Sequence, residues 1–80
     1  MKPVVFTPAA ARQFRKLPDN VRKRIAAKVR GYAEGESADV TKLVGREGAR
    51  LRIGDYRAIF IEDAASIIIV AVGNRKEIYD

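Results

Sequence analysis

The order of hydrophobic patterns along this chain predicts an α+β fold: a short first strand, a helical hairpin, then a run of antiparallel strands. Three observations carry that expectation. Apolar residues recur at helical spacing between Pro8 and Ala33, and from Ala49 the pattern becomes that of strands, alternating over Arg50–Ile53 and continuously apolar over Ile67–Val72. The turn formers Gly54-Asp55 and Asp63-Ala64-Ala65-Ser66 then separate the strand runs. The 80 residues allow one domain, 1-80, with no room for a second core.

Each element has its own signal. Lys2 to Phe6 reads as the first strand. Thr7 is placed to cap a helix and Pro8 to open it, where a missing N–H has no helical partner to lose. Ala10, Phe14 and Leu17 give that helix an inward stripe. Pro18 ends it, because the residue before proline is pushed out of the α region. A second helix begins after Asp19 or Asn20, either of which can cap it. Its buried stripe is Val21, Ile25, Val29 and Tyr32 or Ala33, surrounded by Arg22, Lys23, Arg24, Lys28 and Arg30. Gly31 weakens this helix and Gly35 is its expected C-cap.

Glu34 to Asp39 reads as a polar loop. Val40 to Val44 is a candidate opening strand broken by Gly45, with Leu43 packing and Gly45 turning. Strands follow over Ala49–Ile53, Tyr56–Glu62 and Ile67–Val72, and Ile78-Tyr79 is either a last short strand or a tail. The expected order is β-α-α-β-β-β. In the Tyr56–Glu62 run both faces carry apolar residues, as in a central strand covered on both sides. Phe14, Tyr32 and Phe60 read as core.

Composition narrows the chemistry. The net charge of +6, from 16 Lys and Arg against 10 Asp and Glu, biases the partner toward a polyanion or an acidic protein. The chain has no cysteine, so neither a disulfide nor a thiolate metal site can staple it. It also has no histidine, which excludes serine–histidine hydrolases and histidine-dependent metal sites. Acid–base work near neutral pH then falls to a perturbed Lys, Tyr, Asp or Glu. The segment after Met1 is too short in apolar residues for a signal peptide, and the longest apolar run, Ile67 to Val72, is far too short to span a bilayer. A cytoplasmic protein with no membrane partner is expected.

The most informative stretch is Gly48-Ala49-Arg50-Leu51-Arg52-Ile53-Gly54-Asp55-Tyr56-Arg57-Ala58. As a strand, it turns Arg50 and Arg52 to one face and Leu51 and Ile53 to the other. Arg57 returns from the next strand, and Arg75 and Tyr79 follow a third apolar run. Several guanidiniums and a phenol on one small sheet suit a phosphodiester. Each residue alone also has a bland explanation, as a solvated strand face, a loop cation or a terminal tyrosine.

Three motifs then resemble a family. Lys42-Leu43-Val44-Gly45, Arg50 to Arg57, and Val72-Gly73-Asn74-Arg75-Lys76-Glu77-Ile78-Tyr79 resemble the RelE branch of the RelE/ParE toxin superfamily, as does Leu17-Pro18-Asp19-Asn20-Val21-Arg22. The resemblance covers essentially the whole chain. It implies a type II toxin–antitoxin toxin, a metal-independent endoribonuclease that needs no cofactor. Its target would be mRNA in the ribosomal A site, with the RNA's own 2′-hydroxyl attacking the adjacent phosphate. The implied partners are the ribosome with its mRNA and a cognate antitoxin that wraps the toxin in a hetero-oligomer.

Matched by position, Arg50 and Arg52 fall on two basic site positions often occupied by lysine. Arg57 and Arg75 fall on phosphate-binding arginines, and Tyr79 on the C-terminal catalytic tyrosine. Arginine keeps its proton at any relevant pH, so Tyr79 is the candidate general base. The chain departs from the pattern at Arg50, which cannot replace a basic lysine, and at Asn74, where many relatives carry a histidine. Two other functions compete: a ParE-like poison of DNA gyrase, which needs no catalytic cluster, and an inactive binding module on the same fold.

Overall fold

The computed structural model describes residues 1–78. Strand β1 (Val4–Phe6) leads into helices α1 (Pro8–Arg15) and α2 (Asp19–Ala33). Strands β2 (Val40–Lys42), β3 (Ala49–Ile53), β4 (Tyr56–Glu62) and β5 (Ile67–Asn74) follow. They form one five-stranded sheet in the order β1-β5-β4-β3-β2. The last four strands are antiparallel neighbours, as expected, while β1 lies parallel to β5, with Val4 opposite Ile67.

Helix α1 starts as its sequence directs: Thr7 accepts the Ala10 N–H through its hydroxyl and Pro8 is the first helical residue. The start of α2 differs from expectation. Neither Asp19 nor Asn20 caps it; the helix begins at Asp19, and Pro18 occupies the cap with no side-chain acceptor. The Pro18 carbonyl instead takes the N–H groups of Val21 and Arg22. Asp19, inside the first turn, pairs with Arg22 and Lys23 at 3.0 and 3.1 Å, a sign of charge suited to a helix N-terminus. The other end closes in a Schellman motif. Gly35 (φ +91°) donates to Tyr32 and Glu36 to Gly31, which satisfies two terminal carbonyls.

Both helices cover one face of the sheet. Ala10, Val21, Ile25 and Val29 meet Leu51, Ile53, Ala58, Phe60, Ile67, Ile69 and Val72 in one buried cluster, with Phe14, Leu17 and Tyr32 packed at its margin. The expected helical stripes are therefore the ones that pack. No helix among the described residues is long and apolar enough to cross a membrane.

Two features of the sheet differ from the sequence expectation. Val40–Lys42 is a real strand, so four strands follow the helices and not three. The last strand also runs on to Asn74, two residues past Val72. There is a bulge as well: Ile59 faces Ala71 while Phe60 faces Ile69, leaving Val70 unmatched. The extra residue resets the alternation, so Ile67 and Ile69 point to the core on one side of it and Val72 on the other. On β4, Ala58 and Phe60 join that core, whereas Ile59 is buried outside it, on the opposite face. Coverage of that second face is local, provided by Leu43 and Ile78. Ile78 is not in a strand: its N–H closes a turn onto Asn74, and its side chain lies over Gly73. Tyr79, the other half of that expectation, lies outside the described residues.

Candidate functional site

The site grows from the turn Gly54-Asp55, which joins β3 to β4 in two residues. Among the four residues of that hairpin end only Gly54 takes a positive φ, +58°, the pattern of a type II′ turn. The tight turn sets the register: Arg52 stands directly opposite Arg57, and Arg50 opposite Ile59. Because Leu51 and Ile53 are buried under the helices, their neighbours Arg50 and Arg52 are forced onto the open face. Arg50, Arg52 and Arg57 line one small hollow of about 180 Å³, together with Asp39 and Thr41.

The turn also holds the arginines in place. Arg57 Nη1 donates to the carbonyls of Gly54 and Tyr56, at 2.8 and 2.9 Å. The Arg75 N–H donates to the Asp55 carbonyl at 2.8 Å, which ties the chain after β5 to the same turn. The Arg75 side chain lies 3.9 Å from the Asp55 carboxylate, and Arg52 lies 4.0 Å from that of Asp39. Desolvation lowers the Arg57 pKa below its ordinary value, and the positive fields of Arg52, Arg50 and Arg75 lower it further, against the opposing pull of Asp55. The group stays charged at any physiological pH. What matters is the sign: Arg57 sits in the field of three other cations.

Like charges directly opposite on neighbouring strands destabilise a sheet. A cluster of this kind is suited to a ligand that brings negative charge, and guanidiniums arranged as a fork fit phosphate oxygens in pairs. Of the residues matched by sequence, the structure brings together Arg50, Arg52, Arg57 and Arg75. Tyr79 lies outside the described residues. Asn74, at the end of β5, uses its side chain locally, accepting the Lys76 N–H at 3.0 Å. Among the described residues no group of three or more His, Cys, Asp or Glu could hold a metal ion.

Sequence reading missed two members of this neighbourhood. Asp39 reads as loop, yet its carbonyl accepts the Arg52 N–H at 2.9 Å and its carboxylate borders the hollow. Only the β2–β3 register reveals that. Arg24 reads as one cation among many on α2, but its guanidinium lies over Gly54, with Nη2 only 2.6 Å from where a β-carbon there would sit.

Larger hollows also lie elsewhere. One of about 630 Å³ sits at the far end of the β3–β4 hairpin, where Lys2, Tyr32 and Glu62 form a closed network. Lys2 Nζ donates to Glu62 at 2.7 Å and to the Asp63 carbonyl at 2.6 Å, and the Tyr32 hydroxyl donates to Glu62 at 2.5 Å. The bond to Glu62, followed by burial, pushes the Tyr32 phenol up to about 12. The Lys2 and Tyr32 bonds hold the Glu62 carboxyl below its ordinary value. Within this network Lys2, Tyr32 and Glu62 each have a close partner, which is how a structural site looks.

Comparison with known proteins agrees with the architecture. No curated protein matches the sequence. The solved RelB–RelE antitoxin–toxin complex of Methanococcus jannaschii contains a chain 27% identical, with a TM-score of 0.76 over 95% of both chains. The archaeal RelE–RelB complex from Pyrococcus horikoshii gives 25% identity and a TM-score of 0.75, over 96% of this chain and 98% of that one. The E. coli RelBE complex shares the fold at 23% identity and a TM-score of 0.75, over 92% and 96% of the two chains. A family model described as the ParE toxin of the type II toxin–antitoxin system parDE matches residues 4–79. With nearly its whole length matched and its fold that of the RelE structures, this chain belongs to the RelE/ParE superfamily of type II toxins.

Proposed function

We propose that this toxin is an endoribonuclease that cleaves mRNA in the ribosomal A site. The carrying observation is the convergence of Arg50, Arg52, Arg57 and Arg75 around one turn, with Arg57 in the field of the other three. Attack by a 2′-hydroxyl forms the O2′–P bond and breaks the P–O5′ bond. The 2′-hydroxyl proton goes to a base, and the departing 5′-oxygen gains one. Charge gathers on the phosphorane oxygens, where fixed guanidiniums act most strongly. Arg57 and Arg75 take that role, and Arg50 and Arg52 hold the flanking phosphate oxygens. Tyr79, its phenolate stabilised by the arginines, is the base; Tyr79→Phe cleaving at the wild-type rate would refute that assignment.

The site is shallow and small, so we expect the ribosome to hold and orient the RNA. Efficient cutting of naked RNA by the purified protein would contradict this. The RelB-bound state of the archaeal relatives supports a cognate antitoxin as the second partner, forming a toxin–antitoxin hetero-oligomer. One observation favours a different target: the matching family model is named for ParE, and a ParE-like toxin acts by binding gyrase.

A single experiment separates these readings. The chain is induced briefly without antitoxin, and transcript ends bearing a 5′-hydroxyl are mapped beside an Arg57→Ala control. New ends at a fixed position within codons, absent in the control, support the ribonuclease. Growth arrest without new ends supports the gyrase poison. Neither effect leaves a binding module on a toxin fold.

A further inference from the structure

A second basic cleft adjoins the arginine cluster. It has a volume of about 350 Å³ and runs between α2 and the β3–β4 turn, with Arg24 and Lys28 on the helix side and Arg52 and Gly54 on the sheet side. Arg24 and Lys28 stand one helical turn apart, so both project from the same face of α2. Neither makes an ion pair among the described residues, whereas Arg22 and Lys23 on the same helix are both paired to Asp19.

Gly54 joins the two cells. Its carbonyl holds Arg57 at 2.8 Å, and its bare α-carbon lets the Arg24 guanidinium settle 2.6 Å from where a β-carbon would be. Arg52 and Asp39 line both hollows. Positive charge therefore lies in both hollows, with Arg52 and the Asp39 carboxylate shared between them.

We propose that this cleft is a second phosphate subsite: Arg24 and Lys28 hold the next backbone phosphate of the same RNA strand whose scissile phosphate sits at Arg50, Arg52, Arg57 and Arg75. This rests on the ribonuclease reading and assigns α2 a share in substrate binding. The strand passes over the Gly54 turn, where a side chain would displace Arg24. Subsites of this kind fix the strand's direction through the site, and contacts to phosphate position a chain without reading its bases.

The test uses the full-length chain, isotope-labelled, titrated by NMR with uncleavable 2′-O-methyl RNA. One probe is a dinucleotide with a single internucleotide phosphate and the other a tetranucleotide. The expected result is that the dinucleotide shifts the cluster arginines only, while the tetranucleotide also shifts the Arg24 Nε–H and the Gly54 N–H. R24Q/K28Q should weaken tetranucleotide binding about tenfold, spare the dinucleotide, and flatten the salt dependence by about 0.7 per lost contact.

R12Q/R15Q on α1 removes the same charge from outside the cleft and should change neither probe. The proposal is overturned if R24Q/K28Q behaves like that control, or if it weakens both probes equally, which is an effect of net charge alone. Arg57→Ala reads the underlying site separately and should abolish dinucleotide binding. Retained dinucleotide binding in Arg57→Ala overturns the cluster itself as the phosphate site, and the subsite with it.

Discussion

The two ends of the β3–β4 hairpin carry charge in opposite ways. At the open end of the hairpin, Lys2, Tyr32 and Glu62 close on one another at 2.5–2.7 Å, and a cation, a carboxylate and a phenol satisfy each other. At the turn, the carboxylates of Asp39 and Asp55 stand 4.0 and 3.9 Å from Arg52 and Arg75, while four guanidiniums crowd one face. The first arrangement lowers the energy of the folded chain by itself. The second leaves positive field unspent, and that field is what a phosphate can use. Close mutual pairing marks the structural corner, and an excess of like charge around Arg57 marks the candidate site.

The largest effect expected from this contrast is at Arg57. Arg57→Ala should slow single-turnover cleavage of ribosome-bound mRNA by about 10²–10³, roughly 3–4 kcal/mol of transition-state stabilisation. Its thermal unfolding midpoint should barely move, since relief of repulsion from Arg52 offsets the lost backbone contacts. A large fall in stability with activity intact would reverse the roles of the two ends.

Gly54→Ala comes next. A β-carbon there must take a positive φ and displaces Arg24. The strain costs about 1–3 kcal/mol, measurable by urea unfolding, and cleavage should fall together with stability because Arg57 is held on the same carbonyl.

Glu62→Gln probes the other end. It should cost about 1 kcal/mol or less, as an exposed pair does, and leave the cleavage rate unchanged. Loss of activity would show that the two ends are coupled.

The smallest effect is one of pH. The folded Tyr32 phenol lies near 12, above its ordinary 10, so its contribution is fully present below pH 10 and is lost as pH rises from 10 towards 12. Tyr32→Phe should therefore unfold with a flatter pH profile over that window. Glu62, held below its ordinary value, contributes above the usual carboxylate range and loses that contribution as acid protonates it, so Glu62→Gln should flatten the acid limb. An identical alkaline profile in wild type and Tyr32→Phe would remove this network from the account of stability.

The residues by themselves determined what depends on neighbours a few positions away. Thr7-Pro8 opened α1, the Val21-Ile25-Val29 stripe chose the buried side of α2, Gly35 closed it, and the alternation Arg50-Leu51-Arg52-Ile53 decided which side chains face out. These are outcomes of local sterics and period, so they can be read from sequence. The cap at Pro18 escaped because it used a backbone carbonyl, not a side chain.

What only the tertiary structure decided depends on pairing between distant segments. The parallel docking of β1 on β5, the strand at Val40–Lys42, the unmatched Val70, and the placement of Asp39 and Arg24 beside the arginines are all long-range choices. Alternation turns Arg50 and Arg52 to the outward face, but both faces of the Tyr56–Glu62 run carry apolar residues, so it leaves the side of Arg57 open. Only the register of a two-residue turn sets Arg57 opposite Arg52, and only the hydrogen bond from Arg75 to Asp55 brings the fourth guanidinium near. Register is fixed by burial of a whole face at once, a sum over many weak contacts that no single window of sequence contains.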